Sequence, residues 1–192
     1  RDGLSRAAFR AHYEEHHAPL GIAWFGFDRY VRNHVADDAP DAGFDCIAEF
    51  WPSDLDQIGR AIAAAGAVFE EDDARFMSPD RRGGTVEEWL LAGPVRAVDP
   101  PGTRKRIDLI PEATLPDLAD LRRWAQAEVA AGRADRIAID RPVATMGNLD
   151  GVALLYRWNC EEDAQPPGRR SVTRLVDVCE TPPAELVAAS RP

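Results

Sequence analysis

His17 is the residue of this sequence with the best claim to move a proton. It lies near the end of a helical pattern that begins at Ser5 and carries Phe9, Tyr13, His16 or His17, and Leu20 at spacings of three and four, with Pro19 and Gly21 expected to close it. Carbonyl dipoles at such an end favour an imidazolium, the charge state that a general acid needs. A histidine there can equally cap the helix and pack below Tyr13, and both readings stand. His12 and His16 are spaced i, i+4, but no Glu-x-x-His partner supports them, so no metal site is expected. They read as surface residues. His34 reads as a strand residue that could reach the same mouth.

Glu49 is the second candidate. Alternation over Phe44–Trp51 separates Asp45, Ile47, Glu49 and Trp51 from Cys46, Ala48 and Phe50. The second set contains small residues that fit beneath helices, so the first set is expected to face an interior. Phe44–Trp51 lies over Leu149–Tyr156 without a gap, a weak internal repeat whose inward counterparts are Asp150, Val152, Leu154 and Tyr156. An interior of Ile47, Trp51, Val152, Leu154 and Tyr156 with one carboxylate suits a flat apolar or aromatic ligand. Glu49 could give or take a proton there, or simply pair with Arg29 or Arg32. Tyr30 could donate a hydrogen bond to a substrate oxygen and Asn33 could orient it; both could also be sheet-packing residues.

These side chains need a scaffold, and the pattern supplies helix, strand, strand, helix, strand. After the helix from Ser5 come strands at Arg29–Val35 and Phe44–Trp51, a helix over Ser53–Gly66 and a strand over Thr85–Leu91. Asp72, Asp73, Arg75 and Phe76 fall in the long segment before that strand, read as a rim loop in which Phe76 covers the pocket. The acidic run Glu70–Asp73 reads as solvated. Residues 93–103, with Gly93, Pro94, Pro100, Pro101 and Gly102, read as a linker. The pattern then recurs: strand Arg104–Ile110, helix Leu115–Ala131, strands Arg136–Thr145, Leu149–Trp158 and Ser171–Val178. Asn159–Arg170 is too short and Pro-rich for a proper helix. Strand-helix-strand-strand-helix-strand is the ferredoxin-like order. The expected fold is therefore α+β: two tandem ferredoxin-like units, residues 1–92 and a degenerate 104–192, forming an intramolecular dimeric α+β barrel. The opening strand of the first unit is expected upstream of Arg1.

Composition narrows the partners. In 192 residues, Lys and Arg number 23 against 33 Asp and Glu, a formal charge of −10, which argues against nucleic acid and anionic lipid. No apolar run approaches the ~20 residues of a bilayer crossing. Three cysteines without a Cys-x-x-Cys pair suggest neither a disulfide framework nor a thiolate zinc site, and a reducing cytoplasm is the simplest location. Glycine-rich phosphate loops, dinucleotide fingerprints and nucleophile elbows are all missing, and no haem motif stands out, so no cofactor is expected.

Arg1-Asp2-Gly3-Leu4, then Phe9 and His17-Ala18-Pro19-Leu20, resembles the opening of EthD-domain proteins. Arg29–His34 and Phe44–Trp51 are similar to that family's next two signatures, so the resemblance covers the first half of the chain. Tyr13 stands where many members carry Trp. The second half resembles the family in architecture alone, since Trp124–Glu128 carries no His-Ala-Pro. The resemblance implies a dimeric α+β barrel, monomeric as a pseudo-dimer or homodimeric, with relatives in aromatic polyketide and xenobiotic pathways, some of them dehydratases. On that basis the expectation is a cofactor-free lyase, most plausibly a dehydratase of a hydrophobic aromatic or polyketide-like substrate. His17 would move the proton, Glu49 or Tyr30 would assist, and Asn33, His34, Ile47, Trp51, Phe76, Val152, Leu154 and Tyr156 would bind substrate. A cofactor-independent monooxygenase and a non-catalytic ligand-binding barrel are the alternatives.

Overall fold

The computed structural model describes residues 3–40, 43–52, 54–79, 83–146, 151–160 and 172–189. It is α+β, with antiparallel strand pairings, and it divides into two compact units. Unit 1 comprises Arg1–Asp37, Gly43–Arg81 and Cys179–Pro192; unit 2 comprises Asp38–Ala42 and Arg82–Val178. Among the described residues, no helix is long and apolar enough to cross a membrane.

Unit 1 opens where Ser5 accepts the amide of Ala8, satisfying one of the donors a helix start leaves unpaired. Helix α1 (Arg6–His12) runs into a π-helical turn (Tyr13–His17) and on into α2 (Ala18–Trp24), with right-handed helical backbone at both joints. Pro19 and Gly21 therefore do not close the helix. The π turn bonds the Ala18 amide back to the Tyr13 carbonyl, so the ordinary α pattern is already broken where Pro19 lacks its donor.

Strands β1 (Phe27–Val35) and β2 (Cys46–Pro52) pair antiparallel, with Tyr30 opposite Phe50, Val31 opposite Glu49, Asn33 opposite Ile47 and His34 opposite Cys46. Cys46 and Ala48 pack against the cluster of Tyr13, Tyr30, Phe76 and Leu186, which puts Tyr30, Arg32 and His34 on the helix-facing side. Asn33, Ile47, Glu49 and Trp51 take the other face.

Helix α3 (Leu55–Phe76) continues well past Gly66. One helical glycine costs only ~1 kcal/mol, and Ala61, Ala65, Asp72 and Phe76, all buried, keep the stripe in phase through it. The expected rim loop is thus the last turns of a helix, and Phe76, 1% exposed, is core rather than cover. A short α5 (Pro183–Ala189), which no sequence signal announced, adds Leu186 to the same core.

In unit 2, β3 (Gly83–Ala92), β4 (Arg104–Pro111), β5 (Arg136–Met146), β6 (Val152–Trp158) and β7 (Val172–Glu180) follow the order β7-β4-β6-β5-β3. The last residues of β7, Cys179 and Glu180, belong to unit 1. Helix α4 (Leu118–Ala130) begins on Asp117, whose side chain accepts the Asp120 amide. It buries Leu121 and Ala125 against Ile110, Ile137, Ile139, Ala153 and Leu155.

Residues 93–103 are not where the units part. Strand β3 pairs with β5 from Gly83 opposite Met146 to Ala92 opposite Ile137, so it belongs to unit 2 rather than to a first unit ending at 92. Gly93, at φ +92°, presses so close that an added Cβ would lie 2.5 Å from the Asp135 carbonyl. Asp99 and Thr103 are buried. Residues 161–171, most of Asn159–Arg170, and Leu149 and Asp150 of the proposed repeat lie outside the described residues.

Candidate functional site

The π turn decides which histidines meet. An i→i+5 turn brings residues five apart toward one face, so His17 joins His12 at Asp72, while the His16 ring lies 5.0 Å from that of His12. His12 Nε2 lies 2.8 Å from Asp72 Oδ1 and His17 Nδ1 lies 2.9 Å from Asp72 Oδ2. Asp73 is further off, its Oδ1 lying 3.7 Å from His17 Nδ1. Phe76 packs against both rings, with centroids 4.5 Å from His12 and 5.1 Å from His17, and Tyr13 stands edge-on to His17 at 4.9 Å.

Asp72 is 8% exposed. Burial pushes its carboxyl up, but the hydrogen bonds from His17 and His12 outweigh this and hold it below the ordinary range. An ionised carboxylate only accepts, so both ring nitrogens facing it must carry protons. The proton on His17 Nδ1 makes Nε2 the basic nitrogen. A carboxylate orienting an imidazole in this way is the recurrent support of a general base. The sequence pattern presents Asp72 as part of a rim loop and a solvated acidic run; the helix that runs through residue 72 instead turns it onto the two histidines.

A second polar group lies between the π turn and β1. The Glu14 carboxylate takes a forked pair of bonds from Arg32, at 3.1 and 2.8 Å, and a third from His34 Nε2 at 2.6 Å. Burial raises the Glu14 carboxyl, yet the bonds from His34 and Arg32 win and bring it to about 2. Arg32 also donates to the Thr181 hydroxyl. Glu14 carries no signal in the helical stripe, whereas its partners do in the strand: His34 reads as reaching the site and Arg32 as a partner for Glu49.

The other expected site residues separate by face. The Tyr30 hydroxyl donates to Tyr13 at 3.2 Å, and burial pushes its pKa up to about 12, so it stands as a core residue rather than an open donor. Glu49 accepts from Asn33 Nδ2, which also donates to the Ile47 carbonyl at 3.0 Å. That pair lies on the opposite face of β1 and β2 from Tyr30 and the helices, so the structure does not assemble His17, Glu49 and Tyr30 as one set. The reason is the pleat: Tyr30 stands opposite Phe50 and Glu49 opposite Val31, one residue out of phase. Arg29 bonds Glu180 and lies over Trp51.

In unit 2, Ala153 and Leu155 pack under α4, and alternation places Val152, Leu154 and Tyr156 on the reverse face. That face carries Lys105 over the rings of Tyr156 and Trp158, Arg136 over Trp158, and Asp99, which accepts from Trp158 Nε1 at 2.8 Å.

Two groups of potential metal donors have ligand atoms within 4.8 Å of one another among the described residues: His17, Asp72 and Asp73, and Glu14, His34 and Cys179. In the second, the Arg32 guanidinium already occupies Glu14 and opposes a cation. A groove of about 340 Å³, lined by Glu15, His16, Leu20, Val68, Glu71, Asp72 and Arg75, leads to Asp72.

Among curated proteins and among solved structures nothing matches the chain. Residues 1–80, which carry His12, Glu14, His17, Arg32, His34 and Asp72, match the EthD domain.

Proposed function

We propose that the protein is a lyase, a dehydratase of a hydrophobic aromatic or polyketide-like substrate, with His17 as its general acid/base and no cofactor. The observation that carries this reading is the buried Asp72 carboxylate holding His17 through Nδ1. In dehydration, the basic nitrogen takes a proton from the carbon beside a carbonyl. The C–H electron pair becomes the new C=C bond, the C–O bond breaks, and the departing oxygen leaves as water with a proton from an acid. His12, on the same carboxylate, replaces Glu49 and Tyr30 as the partner that supplies this acid.

The accompanying fold reading is a pair of ferredoxin-like units in an intramolecular α+β barrel. Its support is the order β7-β4-β6-β5. Counted from β4, that is the fourth-first-third-second arrangement of a β-α-β-β-α-β unit.

The test is steady-state turnover and thermal unfolding of one His17→Ala preparation, assayed on β-hydroxy carbonyl compounds with aromatic rings. A fall of ~10²–10⁴ in kcat with an unchanged melting temperature is expected. A variant that melts early but turns over normally per folded molecule would transfer the reading to a non-catalytic ligand-binding barrel. Oxygen consumption would transfer it to a monooxygenase.

A further inference from the structure

We propose that His12, His17, Asp72 and Asp73 form a binding site for a divalent first-row transition metal, and that occupancy switches the proposed proton transfer off. The binding half stands on geometry alone; the inhibitory half rests on the reading of His17 as the proton carrier. Donor atoms sharing a metal at ~2.0–2.1 Å sit roughly 3–3.5 Å from one another. Here the imidazole-to-carboxylate distances on Asp72 are 2.8 and 2.9 Å, and Asp73 approaches His17 at 3.7 Å. The ligand atoms of His17, Asp72 and Asp73 all lie within 4.8 Å of one another and have only a short way to move, while His12 reaches the site through its own bond to Asp72 Oδ1.

Two elements bring these donors together independently: the π turn aligns two imidazoles five residues apart, and the last turns of α3 bring up two carboxylates. Imidazole nitrogen with carboxylate oxygen is the donor set of zinc, iron(II), manganese(II), cobalt(II) and nickel(II), not of calcium or copper(I). The groove that leads to Asp72 carries Glu15, His16 and Glu71 on its walls, with Arg75 paired to Glu71, on a chain of formal charge −10.

Coordination and catalysis compete for one atom. A metal on His17 Nδ1 takes the position from which Asp72 now accepts the ring proton; that proton moves to the other ring nitrogen, and the oriented base is lost. For His12 the same exchange occurs at Nε2.

The experiment is calorimetric titration of the chelator-stripped chain with zinc chloride, with cobalt(II) absorption as a second probe and an unfolding curve without metal for every variant. Expected are one zinc per chain with micromolar or tighter affinity, a cobalt(II) visible band, and at least tenfold weaker binding in both His12→Ala and Asp72→Asn. Should either variant unfold, His12→Gln, which keeps a polar side chain, is measured instead. Absence of zinc binding to the intact chain overturns the site, whatever His17→Ala does to turnover. Binding that survives in the His12 and Asp72 variants but is lost in Cys179→Ser also overturns it, because the ion then sits with Glu14 and His34. Zinc that binds as described yet leaves turnover unchanged overturns the inhibitory half alone.

Discussion

Both units bury charge, but they bury different kinds. Unit 2 pairs permanent ions: Asp108 with Arg157 at 2.8 Å, both essentially without solvent, and Asp99 with Lys105 at 3.5 Å beneath Trp158. Unit 1 also pairs permanent ions, Arg32 with Glu14 and Arg29 with Glu180, but it adds imidazoles: His12 and His17 on the buried Asp72 and His34 on the half-buried Glu14. An Arg-Asp pair has one protonation state at any pH the protein meets, whereas an imidazole changes charge near neutrality. Buried polarity alone thus does not point to a site. The pairing that can change its state does.

That contrast can be broken or sharpened by substitution, most forcefully in unit 2. Asp108→Ala removes the carboxylate that accepts from the buried Arg157 guanidinium and is expected to cost about 3–5 kcal/mol of unfolding free energy in urea; a loss below ~1 kcal/mol would mean that the other surroundings of Arg157 suffice, and the contrast with unit 1 would fade.

Glu14→Gln follows, at about 2–3 kcal/mol, because it weakens three bonds from Arg32 and His34. Its signature is the pH dependence. The Glu14 carboxyl is lowered from 4.5 to about 2 in the folded chain, so its contribution is complete above about pH 4.5 and is lost as pH falls toward 2. The Gln variant should show a shallower loss of stability over that window, and parallel acid curves for both proteins would count against the Glu14 network.

Asp72→Asn removes charge from two hydrogen bonds and is expected to cost about 1.5 kcal/mol. The larger change lies in the rings: the proton resonances of His12 and His17 should shift in NMR while that of His34 stays in place. The smallest effects are those of the caps, Ser5→Ala in unit 1 and Asp117→Ala in unit 2. Each should cost ~1 kcal/mol in thermal unfolding, and equal losses would show that the units differ in their buried charges rather than in how their helices start.

The elements were easier to read than the site. Strand alternation over Cys46–Trp51 places Cys46 and Ala48 under the helices because the period of two is enforced by the backbone itself. The EthD resemblance rested on motifs in the first half, where the family match lies. His17 was legible as a candidate because an imidazole near a helix end is conspicuous. Its partner was not: Asp72 stands far along the chain inside an acidic run, and locating it required the length of α3, which a single glycine concealed. Glu49 failed as a partner for a different reason, since a one-residue phase difference on a strand reverses the face. Gly93 and its prolines imitated a linker because the residues that make a tight turn also make loose ones.

The π turn has a consequence for how relatives of this chain should be aligned. A π turn is what results when one surplus residue is accommodated inside an α-helix without breaking it. Were Glu15 deleted, His12 and His17 would stand four residues apart in an uninterrupted α-helix, still one turn from each other. A relative whose helix is one residue shorter between Tyr13 and His17 can therefore keep both imidazoles, and a gap at that place in an alignment marks a change of helix winding, not loss of the pair. An alignment forced through without the gap would set His16 against the shorter relative's second histidine and assign the wrong residue to the carboxylate.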